Sequence, residues 1–183
     1  MKVAITGTIG SGKTEASNYL RTKGYDVFDC DRVNSQLLES RGFELLKNDF
    51  CDCFINNKLD KTKLASIIFS NDDKKRKLES IMHPLILKEL LKRNDDPLFA
   101  EVPLLFESNW DIYFDTNILI VSDEDIAIKR LINRGVDMQD AKKRIASQMS
   151  IQEKIKKASI IIYNNGSLEE LYAKIDKFLD DIC

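Results

Sequence analysis

Short apolar runs alternate along the chain with longer stretches in which apolar residues recur every three or four positions. The short runs predict five strands: Lys2 to Thr6, Asp26 to Phe28, Leu98 to Val102, Asn117 to Val121 and Ile160 to Tyr163. The longer stretches have the spacing of helices that bury one face. This alternation predicts an α/β fold in which a five-stranded parallel sheet is flanked by helices on both faces.

Two stretches are too long to be simple connections between strands. The first, about 35–94, has helical periodicity and few strand signals, so we predict a helical insertion there. The second, about 124–157, is dense in lysine and arginine and is predicted to form a helical lid. The remaining segments, 1–34, 95–123 and 158–183, then form the core of one domain.

Three helices late in the chain are predicted by their start signals. A serine or aspartate followed three residues later by an acidic residue has the spacing of a capping box. The pairs are Asp137 with Asp140, Ser150 with Glu153 and Ser167 with Glu170. After the last pair, apolar residues from Leu168 to Ile182 form one stripe, which we expect to pack on the sheet.

The segment Gly7–Thr14 follows the first predicted strand, has the spacing G-x-x-x-x-G-K-[ST] and leads into a helical pattern. Its glycines allow successive backbone N–H groups to turn inward around a polyphosphate at the positive end of that helix. Lys13 can then reach the β- and γ-phosphates, and the Thr14 hydroxyl can ligate Mg²⁺. A nucleoside triphosphate is therefore expected to bind Gly7, Thr8, Ile9, Gly10, Ser11, Gly12, Lys13 and Thr14.

The composition is that of a water-soluble domain with one core, since 43% of the 183 residues are hydrophobic. A net charge of −2 gives no indication of a nucleic-acid or membrane partner. No apolar run is long enough to span a bilayer, and no secretion signal opens the chain. We expect a cytoplasmic monomer or weak homo-oligomer. Its four cysteines, predicted to be reduced thiols without metal-binding spacing, are Cys30, Cys51, Cys53 and Cys183.

Asp29 and Asp31 directly follow the second predicted strand. Ligands of open parallel sheets bind at the carboxyl ends of strands, so we expect both aspartates at the edge that carries the phosphate loop. Phosphoryl transfer needs a carboxylate near the acceptor hydroxyl, although either aspartate could equally be a turn residue or a helix cap. Val33, Leu37 and Leu38 predict a helix that begins near Asp31, whose backbone N–H groups favour an ionised carboxylate. Asp31 is therefore the predicted base.

Three further features each have a chemical and a structural interpretation. Glu101, at the end of the third strand, is either a partner of Mg²⁺ through water or an edge charge. His83, the only histidine, is by itself more often a surface or capped residue than a catalytic one. Arg134 and Arg144 belong to a basic row that is usually a solvated face, but arginines of a lid can neutralise charge that develops on phosphates.

Several motifs, in order along essentially the whole chain, resemble those of the dephospho-CoA kinase family. After the phosphate loop they are Asp29-Cys30-Asp31, the stretch from Leu78 through His83-Pro84 to Ile86, Val102–Glu107, Arg144–Gln148 and Asn164–Ser167. The phosphate loop alone is generic, whereas the aspartate pair, the His-Pro motif and the Pro-Leu-Leu-Phe-Glu motif in this order are specific.

The resemblance implies a P-loop kinase fold and transfer of the ATP γ-phosphate to the ribose 3′-hydroxyl of dephospho-CoA, the last step of coenzyme A synthesis. It implies that Asp31 is the base, that the insertion holds the acceptor and that the lid covers ATP. The assigned ATP-binding residues besides the phosphate loop are Arg134, Arg144 and Asn165. The acceptor-binding residues are Asp29, Asp31, His83, Pro84, Leu104 and Glu107. The catalytic residues are Asp31, Lys13, Arg134 and Arg144, and Mg²⁺ is assigned to Thr14 and Asp31.

Three departures from the family pattern are small. Cys30 stands where the family usually has Ala, Thr8 where it usually has Gly, and Glu101 where Asp is common. Only Thr8, by crowding the phosphate loop, is expected to change nucleotide affinity.

Two alternatives remain open at this point. A nucleoside monophosphate kinase or another small-molecule kinase of the same fold would share the loop and lid but lack the motifs around His83 and Pro103. A GTPase-type switch is suggested by Asn57-Lys58-Leu59-Asp60, which spells N-K-x-D. That tetrapeptide lies in the polar helical insertion, and the chain has no D-x-x-G, so we interpret the match as accidental.

Overall fold

The computed structural model describes residues 1–56 and 58–182. The chain divides into two units, one formed by Met1–Phe28 with the chain from Asp95 onward, and the other by Asp29–Asn94. Asn57, which opens the N-K-x-D tetrapeptide, and Cys183 lie outside the described residues.

Five strands form one parallel sheet, which confirms the predicted α/β fold. The described strands are β1 (Lys2–Gly7), β2 (Val27–Asp29), β3 (Phe54–Ile55), β4 (Lys58–Leu59), β5 (Leu98–Glu101), β6 (Thr116–Val121) and β7 (Ile160–Tyr163). The sheet order is β2-β5-β1-β6-β7, and each end of these strands lies within one residue of its prediction. Strands β3 and β4 form a separate antiparallel pair in the second unit.

Helices fill the connections between the strands. The described helices are α1 (Lys13–Thr22), α2 (Cys30–Leu38), α3 (Arg41–Leu46), α4 (Lys61–Ser70), α5 (Asp72–Leu91), α6 (Glu124–Asn133), α7 (Met138–Ala146), α8 (Ile151–Lys157) and α9 (Leu168–Ile182). Helices α2 to α5 belong to the second unit, and α6 to α8 occupy the segment predicted to be a lid. In the part of the chain that the structure describes, we find no helix with the length and apolarity needed to span a membrane.

The core of the first unit lies between the sheet and the helices α1 and α9. Val3 and Ile5 of β1 are fully buried, and they join one apolar cluster with Leu20 of α1 and Ile175 of α9. Burial of this kind is the main contribution to the stability of a parallel sheet covered by helices. The central strand is therefore a rigid support for the loop that follows it.

The predicted apolar stripe of α9 packs on this core, except at its start. Leu171, Ile175, Phe178 and Leu179 are buried, whereas Leu168 is 44% exposed. The prediction was wrong for Leu168 because this residue begins the helix, one turn before the first buried position.

The predicted helix starts are present. Ser150 and Glu153 form a complete capping box at α8. The Asp137 carboxylate accepts a hydrogen bond from the Gln139 N–H at 2.8 Å at the start of α7. The Ser167 hydroxyl accepts one from the Glu170 N–H at 3.3 Å at the start of α9. Each cap satisfies backbone donors that have no partner within the helix.

A buried ion pair holds the segment that returns from the lid. Lys154, in α8, has 0% exposure, and its Nζ lies 2.7 Å from Oε1 of Glu107. The same Glu107 oxygen accepts a hydrogen bond from the Met149 N–H at 3.1 Å. Both contacts come from residues 149–154, so Glu107 fixes the start of α8 against the turn that follows β5.

Replacing Lys154 with alanine is expected to lower the free energy of unfolding by about 3 kcal/mol, because the Glu107 carboxylate would stay largely buried without its cation. Lys157→Ala is the matched control, since Lys157 is exposed on the same helix. Chemical denaturation of both variants measures the difference. An equal loss in the two variants would mean that the ion pair contributes no specific stability.

Candidate active site

The phosphate loop connects β1 to α1, and its glycines are required by both conformation and space. Gly10 and Gly12 have φ of 80° and 100°, in the left-handed region that side chains disfavour. A Cβ on Gly10 would lie 2.7 Å from the Ala127 carbonyl oxygen, and one on Gly12 would collide with the Asn164 amide nitrogen. The loop can therefore keep this path only with glycine at both positions.

Lys13 is held at the mouth of the loop by the backbone of the loop itself. Its Nζ donates to the carbonyl oxygens of Gly7 and Thr8, at 2.9 and 3.0 Å. The side chain is buried, and these two contacts fix its position. A cation positioned in this way suits the β- and γ-phosphates, as predicted from the motif.

Thr14 and Glu101 form a pair of oxygen donors beside the loop. The Thr14 hydroxyl donates to Oε1 of Glu101 at 3.0 Å. Glu101 is 7% exposed, so it is not a solvated edge charge, and its buried Oε2 accepts no hydrogen bond from the described residues. Carboxylate and hydroxyl oxygens are the ligands that Mg²⁺ prefers. These two residues fit a magnesium ion, and the unsatisfied oxygen indicates a place for a cation or its water.

Asn164 and Arg130 support the loop from behind, and neither was assigned to the site from the sequence. The Asn164 amide nitrogen donates to the Ser11 carbonyl oxygen at 2.8 Å. The Arg130 guanidinium donates to the Ser122 hydroxyl at 2.7 Å and to the Asn164 carbonyl oxygen at 3.0 Å. The Ser122 hydroxyl in turn donates to the Ser11 carbonyl oxygen at 3.1 Å. This network fixes the middle of the phosphate loop.

The predicted ATP-binding residue Asn165 does not share the contact that Asn164 makes with the phosphate loop. Its side-chain oxygen accepts a hydrogen bond from the Asp123 N–H at 2.9 Å, so it fixes the loop between β6 and α6. The Asn-Asn motif was visible in the sequence, but no periodicity indicates which of the two amides faces the phosphate loop. Arg130 was hidden within the basic row, although Ala127 and Leu131 on its helix are buried.

Two guanidinium groups lie close together at the end of α6. Burial lowers the pKa of Arg130, and the like charge of Arg134 lowers it further. Arg134 itself is exposed at the C-terminal end of the helix. Two neighbouring cations beside a phosphate loop create a field that favours a polyanion. Arg144, the other predicted lid arginine, is exposed on α7.

The predicted acceptor residues of the first unit lie in the turn after β5. Leu104 is half-buried there, and Glu107 is engaged by Lys154 and the Met149 N–H. The second carboxylate oxygen of Glu107 is buried and accepts no hydrogen bond from residues 1–56 and 58–182. One oxygen of this carboxylate therefore contacts Lys154 and Met149, and the other oxygen can still accept a hydrogen bond.

Asp29 and Asp31 belong to the second unit and have different local surroundings. Asp29 is the N-cap of α2, where its carboxylate accepts a hydrogen bond from the Arg32 N–H at 2.9 Å. Asp31 lies in the first turn of that helix and is exposed. The prediction that Asp31 lies at a helix N-terminus is confirmed. The helix-cap interpretation applies to Asp29.

The other motif residues of the second unit lie on or before helices. His83 and Pro84 are within α5, and burial lowers the pKa of His83 while the charge of Glu79 opposes that shift. Asp60, the last residue of the N-K-x-D tetrapeptide, caps α4 by accepting a hydrogen bond from the Lys63 N–H at 3.0 Å. This contact accounts for Asp60 through helix capping, without a nucleotide.

Proteins of one family resemble this chain over its length. The family model described as dephospho-CoA kinase matches residues 1–170. The dephospho-CoA kinase of Fusobacterium nucleatum is 37% identical, over 100% of this chain and 98% of the relative. That of Oceanobacillus iheyensis is 35% identical, over 97% of this chain and 95% of the relative.

Solved structures of the same family and of a related fold are also similar to this chain. The crystal structure of TT1252 from Thermus thermophilus has a TM-score of 0.88 and 31% identity, covering 100% of this chain and 98% of that one. The dephospho-CoA kinase from Campylobacter jejuni has a TM-score of 0.73 and 27% identity, with the same coverage. Shikimate kinase from Acinetobacter baumannii has a TM-score of 0.61 and 13% identity, covering 98% of this chain and 93% of that one, a likeness of fold alone. With a family model that matches residues 1–170 and a relative that is 37% identical over 100% of its length, this chain belongs to the dephospho-CoA kinase family.

Proposed function

We propose that this protein transfers the γ-phosphate of ATP to the ribose 3′-hydroxyl of dephospho-CoA, giving ADP and coenzyme A. The observation that carries the proposal is the phosphate loop, where Lys13 and the Thr14–Glu101 pair lie together in a chain of the dephospho-CoA kinase family. The protein acts in the cytoplasm as a monomer or weak homo-oligomer, without a nucleic-acid or membrane partner.

The loop binds the triphosphate through its backbone N–H groups and Lys13. On binding, Lys13 exchanges carbonyl partners for phosphate oxygens and carries its charge to the bridge between the β- and γ-phosphates. When bound, Mg²⁺ would neutralise phosphate charge, and Thr14 and Glu101 would hold it. The resemblance to the family assigns Asp31 to the same ion. Arg134 and Arg144 contribute further positive charge as the bond to ADP breaks. Asn165 contributes to the same nucleotide site by holding the loop after β6.

Asp31 is the proposed base. Its place in the first turn of α2 favours the ionised carboxylate, because the N-terminal end of a helix carries a partial positive charge. The carboxylate accepts the proton of the ribose hydroxyl as that oxygen attacks the γ-phosphorus. The bond between the γ-phosphorus and the bridging oxygen breaks, and ADP leaves with its electron pair. Asp29 keeps the helix start in place through its cap.

The acceptor is proposed to bind residues of both motifs that distinguish this family. Burial lowers the pKa of His83, which favours the neutral imidazole, and this ring can serve as a hydrogen-bonding group for the acceptor. Pro84 shares its helix, and Leu104 with the unsatisfied oxygen of Glu107 completes the proposed set. The proposed mechanism does not require any of these residues to transfer a proton.

The reaction is tested by ADP release with ATP and Mg²⁺ over a panel of acceptors. We expect strong stimulation by dephospho-CoA and little by AMP, GMP or shikimate, since the motifs after the phosphate loop are those of dephospho-CoA kinases. Preferential phosphorylation of AMP or GMP would make the protein a nucleoside monophosphate kinase. Preference for GTP with turnover in the absence of an acceptor would instead indicate a GTPase.

The phosphate-binding cations are tested by substitution. Lys13→Ala should nearly abolish turnover, because it removes the cation nearest the bond that breaks. Arg134→Ala and Arg144→Ala should each lower kcat by roughly 10- to 1,000-fold, which corresponds to about 1.4–4 kcal/mol of transition-state stabilisation. Lys142→Ala, an exposed neighbour on the same helix as Arg144, should have wild-type kinetics. Folded arginine variants with unchanged kcat would make the basic row a solvated face.

The base is tested by comparing Asp31→Asn with Asp29→Asn. Asparagine is nearly isosteric with aspartate but a poor base, so Asp31→Asn should bind both substrates and lower kcat by ~10²–10⁴-fold. Asp29→Asn should lose less, because asparagine also caps helices well. Single-turnover phosphate transfer and binding titrations separate the two effects. A fully active Asp31→Asn enzyme would exclude Asp31 as the base.

A further inference from the structure

The segment that joins α7 to α8 is tied to the phosphate loop by a side chain. Oε1 of Gln148 accepts a hydrogen bond from the Ile9 N–H at 2.8 Å, and this bond is partly buried. Ile9 lies in the phosphate loop, so this bond joins the α7–α8 segment directly to that loop. The next residue, Met149, donates its own N–H to Glu107. Two consecutive residues therefore fix the end of the lid at two separate points.

These polar contacts matter because the segment lacks packed neighbours on one side. A pocket of about 280 Å³ lies beside it, and its walls include Thr8, Ala127, Ile145, Gln148 and Gln152. A segment that borders open space gains less from dispersion contacts than one embedded in a core. Its position then depends on the few hydrogen bonds that reach across, and Gln148 makes the bond to the phosphate loop.

The segment is also continuous with the helix that carries Arg144. The Ser147 N–H donates to the Lys143 carbonyl oxygen at 3.0 Å, and the Gln148 N–H donates to the Ile145 carbonyl oxygen at 3.2 Å. The last turn of α7 is thereby extended to Gln148, and Arg144 lies four residues before it. A shift of the Gln148 backbone away from Ile9 would therefore shift the last turn of α7, which carries Arg144.

We propose that Gln148 is a positioning residue, which ties the lid to the phosphate loop so that Arg144 is directed to the transferred phosphate. A glutamine serves this purpose because its amide oxygen accepts the Ile9 N–H without adding a negative charge next to the phosphates. The inference rests on the proposed function, since it assumes that Arg144 acts on a phosphate. The opposite role, in which Gln148 occupies the Ile9 N–H until ATP displaces it, would act on nucleotide binding instead of on turnover.

The first test is Gln148→Met, which keeps the length of the side chain and removes the acceptor. We expect kcat to fall by roughly 3- to 10-fold, the equivalent of one hydrogen bond, with KM for ATP within about twofold of wild type. The matched control is Gln152→Met, because Gln152 lines the same pocket and makes no hydrogen bond to the phosphate loop within the described chain. An unchanged kcat with a lower KM for ATP would overturn the proposal in favour of competition with the nucleotide.

A double-mutant cycle separates positioning of Arg144 from general loss of structure. In an Arg144→Ala background, Gln148→Met should change kcat by less than about twofold, because the group that it positions is absent. If Gln148→Met lowers kcat in the Arg144→Ala background as much as it does in the wild-type enzyme, the proposal is overturned. The rates are measured with whichever acceptor the wild-type enzyme phosphorylates, so a failure of dephospho-CoA as substrate disproves the proposed function without deciding the role of Gln148.

Amide exchange provides a test that needs no activity. The Ile9 amide of the ATP-free protein should exchange faster in Gln148→Met than in wild type or Gln152→Met, because it loses its acceptor. Gln148→Glu keeps an oxygen acceptor and should retain Ile9 protection, while its charge raises KM for ATP. Gln148→Ala, which also lacks the acceptor, takes the place of Gln148→Met if that variant does not fold. Equal Ile9 exchange rates in wild type and a folded variant without the acceptor would overturn the proposed tie.

Discussion

The first unit is organised around the path of the phosphate loop between β1 and α1. That arrangement requires left-handed conformations at Gly10 and Gly12, and it leaves no space for a side chain at either position. A loop of this shape has few internal contacts, so it must be held from outside. The buried strand β1 holds one end, α1 holds the other, and Asn164 with Arg130 holds the middle. The path of the loop therefore depends on contacts from three separate elements.

The positive charges near the loop are oriented mainly by neutral groups. Lys13 donates to two backbone carbonyl oxygens, and Arg130 donates to a hydroxyl and a carbonyl oxygen. These acceptors fix the direction of each cation but do not cancel its charge, so the field remains available to phosphates. Glu101 provides the opposite charge beside Thr14, at the place where a divalent cation would bind. The separation of the two signs suits a metal-bound triphosphate.

The lid returns to the sheet through polar contacts that connect two motifs. Glu107, in the turn after β5, holds the start of α8 through Lys154 and Met149, while Gln148 reaches the phosphate loop. The Pro-Leu-Leu-Phe-Glu motif therefore contributes to the support of the lid as well as to the proposed acceptor site. A carboxylate with one oxygen engaged and the other unsatisfied can serve both purposes.

The sequence by itself determined the five strands of the parallel sheet, the capped starts of α7, α8 and α9, and the phosphate loop, because each depends on residues that are near one another along the chain. It did not indicate the short pair of β3 and β4. Hydrophobic period, capping pairs and glycine spacing are local, and the place of Asp31 in the first turn of α2 followed from them. Only the tertiary structure decided that Asn164 instead of Asn165 contacts Ser11, 153 residues away, and that Lys154 is the buried member of a basic run. Leu168 kept the helical spacing but extends beyond the core. Periodicity shows which face of an element is buried, whereas the partner of a polar side chain depends on how distant elements meet.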